Sequence, residues 1–268
     1  MSKTRRAPYS RMARYYDALY NQIVDYVGQT DHLEEILSTH HSGEVKSILD
    51  LACGTGNYTE IFATRGYHAV GIDLSTEMIA LARKKSLSRK HGPFYAQMDM
   101  RNFQLKEKFD AVTILFGGFG YVTKVREVLD LFSSVRSALN PGGILVFEFW
   151  HDSAVLPESS FPEGRRNYDK IREGNRLIVR LHTSKYDAQS NFLTINFDLY
   201  VIDTKRKKLL DDFSEVHTIK TYSIPEIRGF LEESRLKPLA FYEGGVGKQG
   251  KLELAKQSTF RVLSVAGV

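Results

Sequence analysis

The 268-residue chain has a single cysteine, Cys53. No disulfide can form within it, which fits a reducing compartment. No Cys/His spacing of a metal centre appears, so no metal site is expected. No apolar run approaches the length needed to span a bilayer, so no membrane partner is expected. The opening residues, MSKTRRAPYSRMARYYDALY, are basic but lack the apolar stretch of a signal peptide. A cytoplasmic setting is the expectation. The phosphate cradle G-x-x-x-x-G-K-[ST] is missing, because no lysine follows the glycines Gly54 and Gly56 of the turn after the first strand-like run.

Hydrophobic residues make up 42% of the chain and charged residues 26%, the balance of a globular protein with a substantial core. The length fits one large domain or a domain with an insertion. A formal net charge of +5 permits nucleic-acid binding without requiring it. The basic residues are scattered apart from Arg5-Arg6 and Lys205-Arg206-Lys207-Lys208. The second run lies between two strand-like stretches and reads as a solvated hairpin turn rather than a phosphate patch.

The chain is organised around Ile48–Gly56, ILDLACGTG. A short apolar run ends in Asp50, a glycine turn follows, and Tyr58, Ile61 and Phe62 then recur at roughly helical spacing. Strand, tight turn and helix form the opening unit of a doubly wound sheet. A dinucleotide loop would carry a third glycine where Thr59 stands, which argues against NAD. An adenosyl ligand without phosphates remains. Asp73 ends the next apolar run, about twenty residues on, where a strand-end carboxylate can accept both ribose hydroxyls.

ILDLACGTG followed by VGIDLSTEMIALAR resembles the S-adenosylmethionine (SAM)-dependent methyltransferases of the Rossmann-like class. The resemblance implies an α/β fold: a doubly wound seven-stranded sheet whose final strand runs antiparallel, with an inserted antiparallel β-sheet. It implies SAM as cofactor. The cofactor-binding positions it implies are Tyr16, Asp50, Ala52, Gly54, Gly56, Asp73, Leu74, Asp99, Met100 and Leu115. In the family an acidic residue at the Asp99 position accepts from the adenine amino group. Tyr15-Tyr16-Asp17-x-x-Tyr20 is similar to the N-terminal tyrosine element of small-molecule methyltransferases, which folds over the cofactor as a lid. Cys53 reads as a small residue filling the strand–helix junction rather than as a catalytic thiol, and no other cysteine exists to attack a cytosine ring.

Along the chain, helical spacing of apolar residues covers 9–29, and a short helix is expected over Asp31–His40. Ser75 is a candidate cap for a helix over Thr76–Lys85. Strands are expected at Phe94–Met98, Phe109–Leu115 and Ile144–Phe149, with a helix over Val125–Leu139 stopped by Asn140-Pro141-Gly142-Gly143. Residues 152–165 read as loop. Three β-branched, aromatic runs follow, Arg176–Ser184, Phe192–Asp203 and Leu209–Thr221, joined by short turns and so expected to pair antiparallel. A helix over Ser223–Ser234, strands at Leu239–Tyr242 and Phe260–Val265, and a mobile loop over Glu243–Ser258 complete the chain. The domain reading is a lid and SAM-binding core over 1–151, an inserted sheet covering the acceptor site over 152–222, and a C-terminal part completing the core over 223–268.

Strand ends should border the reacting methyl. Phe116, Phe119 and Tyr121 are expected to wall the pocket, and Glu148-Phe149-Trp150-His151 to point toward it. The candidate catalytic residues are His151, His217 and Tyr121. Glu215 shares a strand face with His217, so it could orient that imidazole or bind an acceptor amine. The residues alone leave each histidine open as a general base or as a structural hydrogen-bonding group. The Asp/Asn-Pro-Pro-aromatic motif of DNA amino methyltransferases is missing after the fourth strand. The reading is therefore a methyltransferase acting on a small-molecule acceptor, an amine before a hydroxyl. An RNA acceptor and a SAM-binding regulator without turnover stay as alternatives, and the insert's exposed edge leaves a homodimer open.

Overall fold

The computed structural model describes residues 8–87, 92–155, 166–244 and 252–268. In chain order come α1 (Ala13–Tyr20), α2 (Tyr26–His40), β1 (Ser47–Leu51), α3 (Asn57–Thr64), β2 (His68–Asp73), α4 (Thr76–Ser86), β3 (Phe94–Gln97) and β4 (Phe109–Ile114). A 3₁₀ turn (Gly118–Tyr121), α5 (Val125–Ala138), β5 (Leu139–Trp150) and the single helical turn α6 (Asp152–Val155) follow. The chain then runs through β6 (Arg166–Glu173), β7 (Arg176–Asp187), β8 (Phe192–Asp203), β9 (Lys208–Lys220), α7 (Ile224–Glu233), β10 (Lys237–Glu243) and β11 (Arg261–Gly267).

Seven strands form one sheet in the order β10-β11-β5-β4-β1-β2-β3. β1 pairs parallel with both β2 and β4, and β11 runs antiparallel to β5 and β10. The strand order reverses between β1 and β4, so a crevice opens at their carboxyl ends. The central strands are apolar because both faces are covered. Leu49, Leu51, Val112, Ile114 and Phe147 pack with α5 residues Leu131 and Phe132 on one side. Ile48, Ala111 and Val146 pack with Ile36 and Phe62 on the other. Ser75 caps α4 by accepting from the Met78 N–H, and Ser223 with Glu226 forms a capping box that starts α7.

β6 to β9 form a separate antiparallel sheet in sequence order. Leu193, Ile195, Phe197, Leu199 and Val201 of β8 all turn inward, with the polar residues between them on the other face. This inner face packs on Met12, Leu19 and Tyr20 of the α1 segment. The insert thus presses the N-terminal helix down over the crevice. Lys205–Lys207 form the exposed turn between β8 and β9, as the sequence implied.

Three expectations change. The tyrosine-rich segment is two helices, because Asp25 accepts the Gly28 N–H at 2.9 Å and starts α2 five residues early. The insert has four strands, since the charged run RNYDKIRE pairs along β7 as β6. Residues 152–155 are helical rather than loop. The rest of the loop expected over 152–165, the 245–251 part of the mobile loop, and Arg5-Arg6 lie outside the described residues.

Candidate active site

The crevice is a cavity of about 270 Å³. Its floor is the turn after β1. Ala52 (φ 54°) and Gly54 (φ 56°) both hold left-handed backbone there, and Phe116 (φ 55°) does so after β4. Such angles in non-glycine residues are strained and concentrate at functional sites. A Cβ built on Gly54 would meet nothing within 4 Å, so this glycine leaves open the space where a ligand approaches the backbone. Gly56 differs. Its φ of 79° starts α3, and a Cβ there would fall 2.7 Å from Tyr95 Cζ. Gly56 is fixed by the turn and by Tyr95, and it does not line the cavity.

The strand-end carboxylates divide the work. Asp50 is buried and accepts from the Thr59 hydroxyl at 2.6 Å and the Thr113 hydroxyl at 2.9 Å. Burial pushes its carboxyl up to about 6, against these two hydrogen bonds. Asp73 accepts the Gly54 N–H at 2.9 Å and the Ser75 N–H at 2.8 Å. Burial pushes Asp73 up as well, and the backbone N–H groups oppose that. Each Asp73 oxygen keeps a lone pair beyond its backbone bond. Asp99 is gripped by Arg101, whose Nη2 lies 2.6 Å from Oδ2 and whose Nε lies 2.9 Å from Oδ1. That guanidinium holds the Asp99 carboxyl below its ordinary value. An adenine amino group would have to share Asp99 with Arg101. Burial and the nearby Asp50 and Asp73 push the Cys53 thiol up, which leaves it an inert filler.

The lid closes over this floor. Tyr9, Tyr16 and Tyr26 line the cavity with Tyr58, Phe116 and Tyr121. Asp17 fastens α1 to the glycine turn: its Oδ1 accepts from the Thr55 hydroxyl at 2.6 Å, and Lys85 Nζ lies 3.0 Å from its Oδ2.

At the other end of the lid a relay begins. The Tyr121 oxygen lies 2.6 Å from His217 Nδ1, and His217 Nε2 lies 3.2 Å from Glu215 Oε2. A carboxylate only accepts, so Nε2 carries a proton, and in the neutral ring Nδ1 then accepts from the Tyr121 hydroxyl. The imidazole is buried, with Tyr9 at 4.4 Å and Phe197 at 5.1 Å between ring centroids. Burial drives Tyr121 far above the ordinary phenol value. It is a neutral relay rather than a phenolate. Burial would push Glu215 up too; the His217 ring and the Met12 and Arg11 N–H groups outweigh it and hold the carboxyl below its ordinary value.

The cavity brings together Tyr16, Asp50, Ala52, Gly54, Asp73, Leu74, Asp99, Met100, Leu115 and Tyr121 of the expected residues. His217 stands one hydrogen bond behind Tyr121. His151 does not reach the cavity. It is buried just past β5, with Nδ1 3.2 Å from the Thr259 carbonyl oxygen. Of the other residues at the end of β5, Glu148 lines a smaller side cavity and Trp150 packs on Phe260; neither lines the main cavity. Phe119 is core, between Phe132, Phe147 and Tyr222. Tyr9, Tyr26, Tyr58 and Met98 line the cavity without having been assigned from the sequence. For Tyr9 and Tyr26 the tyrosine-rich segment was the available signal.

Residues 48–143 match a family described as a methyltransferase domain. Over 94% of this chain and 95% of that one, the fold superposes with a TM-score of 0.73 and 26% identity on SAM-bound CalS10, an amino pentose methyltransferase from Micromonospora echinaspora involved in calicheamicin biosynthesis. The chain is also 30% identical over 232 residues, 84% of each protein, to the putative methyltransferase YqeM of Bacillus subtilis. The chain belongs to the class I SAM-dependent methyltransferases.

This methyltransferase is 29% identical over 239 residues to the dTDP-3-amino-3,4,6-trideoxy-alpha-D-glucopyranose N,N-dimethyltransferase of Streptomyces venezuelae. That match covers 89% of this chain and 94% of the relative. The cavity fits SAM on its own terms. Gly54 leaves the backbone bare, Asp73 would have two lone pairs for ribose hydroxyls, and Leu74, Met98 and Met100 would give a purine apolar contact. The tyrosine faces of the lid suit a sulfonium cation.

Proposed function

We propose that this methyltransferase methylates the nitrogen of a small amine, an amino sugar carried on a nucleotide. The observation that carries the reading is the enclosed acceptor end of the cavity, where Tyr9, Tyr16 and Tyr121 close over the site and the Tyr121–His217–Glu215 relay ends. The similarity to a dTDP-amino-sugar N,N-dimethyltransferase along almost its whole length supports it. The Lys205–Lys207 turn is no part of the cavity wall, which weighs against an RNA acceptor.

SAM, when bound, supplies an electrophilic methyl group on a sulfonium. The protein supplies alignment and a route for one proton. Asp73, Gly54, Leu74 and Met100 hold and orient the cofactor. The lid excludes water, which strengthens each polar contact inside. The Tyr121 oxygen accepts an N–H of the acceptor amine and directs the nitrogen lone pair into the cavity. As the nitrogen gains its fourth bond it must lose that proton. Tyr121 takes it on oxygen and passes its own proton to His217 Nδ1. Glu215 then faces an imidazolium and stabilises it.

The test uses SAM carrying a carbon-13 methyl group, with a dTDP-amino sugar and its hydroxyl analogue offered side by side. Label on nitrogen alone is expected. Label on the hydroxyl analogue's oxygen, or on bulk tRNA with neither sugar labelled, overturns the acceptor assignment.

A further inference from the structure

We propose that Glu215 is a positioning residue that couples the seating of α1 to the tautomer and orientation of His217; this deepens the relay reading above and rests on it. The start of α1 has no cap of its own. Met12 stands at the N-cap and makes no side-chain cap bond, and the first turn carries no acidic residue. The Ala13 and Tyr15 N–H groups find backbone acceptors in the Tyr9 and Met12 carbonyls, but the turn that leads into α1 takes its acceptor from the insert. Glu215 Oε1 accepts the Arg11 N–H at 2.8 Å and the Met12 N–H at 3.0 Å. The same carboxylate's Oε2 lies 3.2 Å from His217 Nε2. One side chain thus serves two tasks, one on its own strand and one on a segment 204 positions earlier in the chain.

The two tasks are geometrically linked. A carboxylate is planar, so fixing Oε1 on two lid N–H groups fixes the direction in which Oε2 points. With α1 seated, Oε2 meets the Nε2 proton and the Nδ1 lone pair is left for Tyr121. Neighbouring contacts make the seating specific to this strand. Arg11 Nη2 donates to the Asp212 carbonyl at 3.2 Å, and the Tyr15 hydroxyl donates to Asp211 Oδ2 at 2.9 Å. When α1 lifts to admit ligands, Oε1 loses both donors and the carboxylate turns freely. His217 then loses its fixed tautomer. The proton acceptor is assembled only over a closed cavity, as gated active sites require.

The test reads the histidine ring directly, in the full-length protein without acceptor. Nitrogen-15 spectra of the imidazoles, with the His217 signals assigned by their loss in His217→Gln, are expected to show the Nε2–H tautomer in the wild type. In Glu215→Gln the amide oxygen keeps the two lid N–H groups and its NH₂ donates to Nε2, so the ring flips to the Nδ1–H tautomer. In Glu215→Ala the Arg11 and Met12 amides exchange at least ~10-fold faster and the single tautomer is lost, as loss of a cap implies. With an acceptor in hand, Glu215→Gln lowers kcat by ~10²–10⁴-fold with KM for SAM little changed. A His217 ring still in the Nε2–H form in Glu215→Gln, or unchanged amide exchange in Glu215→Ala, overturns the coupling. Neither spectrum needs turnover, so an error in the acceptor assignment leaves both standing and shows instead in the labelling experiment.

Discussion

The Tyr121 hydroxyl meets His217 Nδ1 at 2.6 Å across 96 positions of sequence. The contact joins the turn after β4, which borders the cavity, to the inserted sheet, which carries the histidine. Neither residue alone forms a base at the cavity: His217 does not reach it, and Tyr121 is held neutral by burial.

Tyr121→Phe and His217→Gln should each lower kcat by ~10²–10⁴-fold while leaving the SAM dissociation constant nearly unchanged. Because the two act in series, the double variant should be little worse than either single one. Steady-state kinetics with calorimetric SAM binding checks this. Multiplying losses would show that the residues act independently.

The two glycines of the first turn should fail in different ways. Gly54→Ala puts a methyl into open cavity and should weaken SAM binding ~10-fold or more, with a backbone strain of about 1–2 kcal/mol. Gly56→Ala drives a methyl into the Tyr95 ring, so crowding of ~1–3 kcal/mol adds to the same strain. Thermal unfolding should drop further for Gly56→Ala, and SAM titration should single out Gly54→Ala. Equal effects on both measurements would contradict the division.

Asp50 gives a pH signature. Its ordinary value is 3.8, and burial pushes it up to about 6 in the fold. The native state therefore holds the proton more tightly than the unfolded chain. The stability it contributes is fully present below about pH 4 and is lost as the pH rises through about 6. Asp50→Asn has no such loss. The unfolding free energy of the variant should gain on the wild type by up to ~3 kcal/mol between pH 4 and 8. Urea titrations at stepped pH measure it, and a constant difference would show that Asp50 is not perturbed.

The lid clasp should control release. Asp17→Ala removes the acceptor shared by Thr55, Asn57 and Lys85. Loss of bonds worth about 0.5–1.5 kcal/mol each should speed SAM dissociation ~10-fold or more. Stopped-flow tyrosine fluorescence reads the rate. An unchanged off-rate would mean that α1 does not gate the cofactor.

Much of this was legible in the chain because buried parallel strands leave plain marks. Ile48–Leu49 and Ala69–Ile72 are apolar runs that end at the carboxylates Asp50 and Asp73, Phe109–Ile114 is mostly apolar, and the glycine turn between the first of them and α3 fixes the crevice. β6 was hidden for the converse reason. Among the described residues it is an edge strand paired with β7 alone, and Arg166–Glu173 can be mostly charged because little of it needs burial. His151 was misplaced because it lies just past β5, where it pairs with Tyr222 as an isolated bridge and its ring is held at the Thr259 carbonyl; nearness to a strand's end does not by itself place a side chain at the crevice. Arg101 next to Asp99 was visible, but its bidentate grip depends on the turn between them. The Tyr121–His217 and Glu215–Met12 contacts depend on how the insert folds back over the first helix, and no local pattern encodes that.

The most direct test of the account is S-adenosylhomocysteine release from SAM and a dTDP-amino sugar, compared between the wild type and Asp73→Ala at limiting SAM. The account predicts acceptor-dependent turnover by the wild type, lowered ~10–100-fold in the variant through loss of charge-assisted hydrogen bonds worth about 1.5–3 kcal/mol. Equal turnover by the two proteins, or release by the wild type with tRNA and not with the amino sugar, would contradict it.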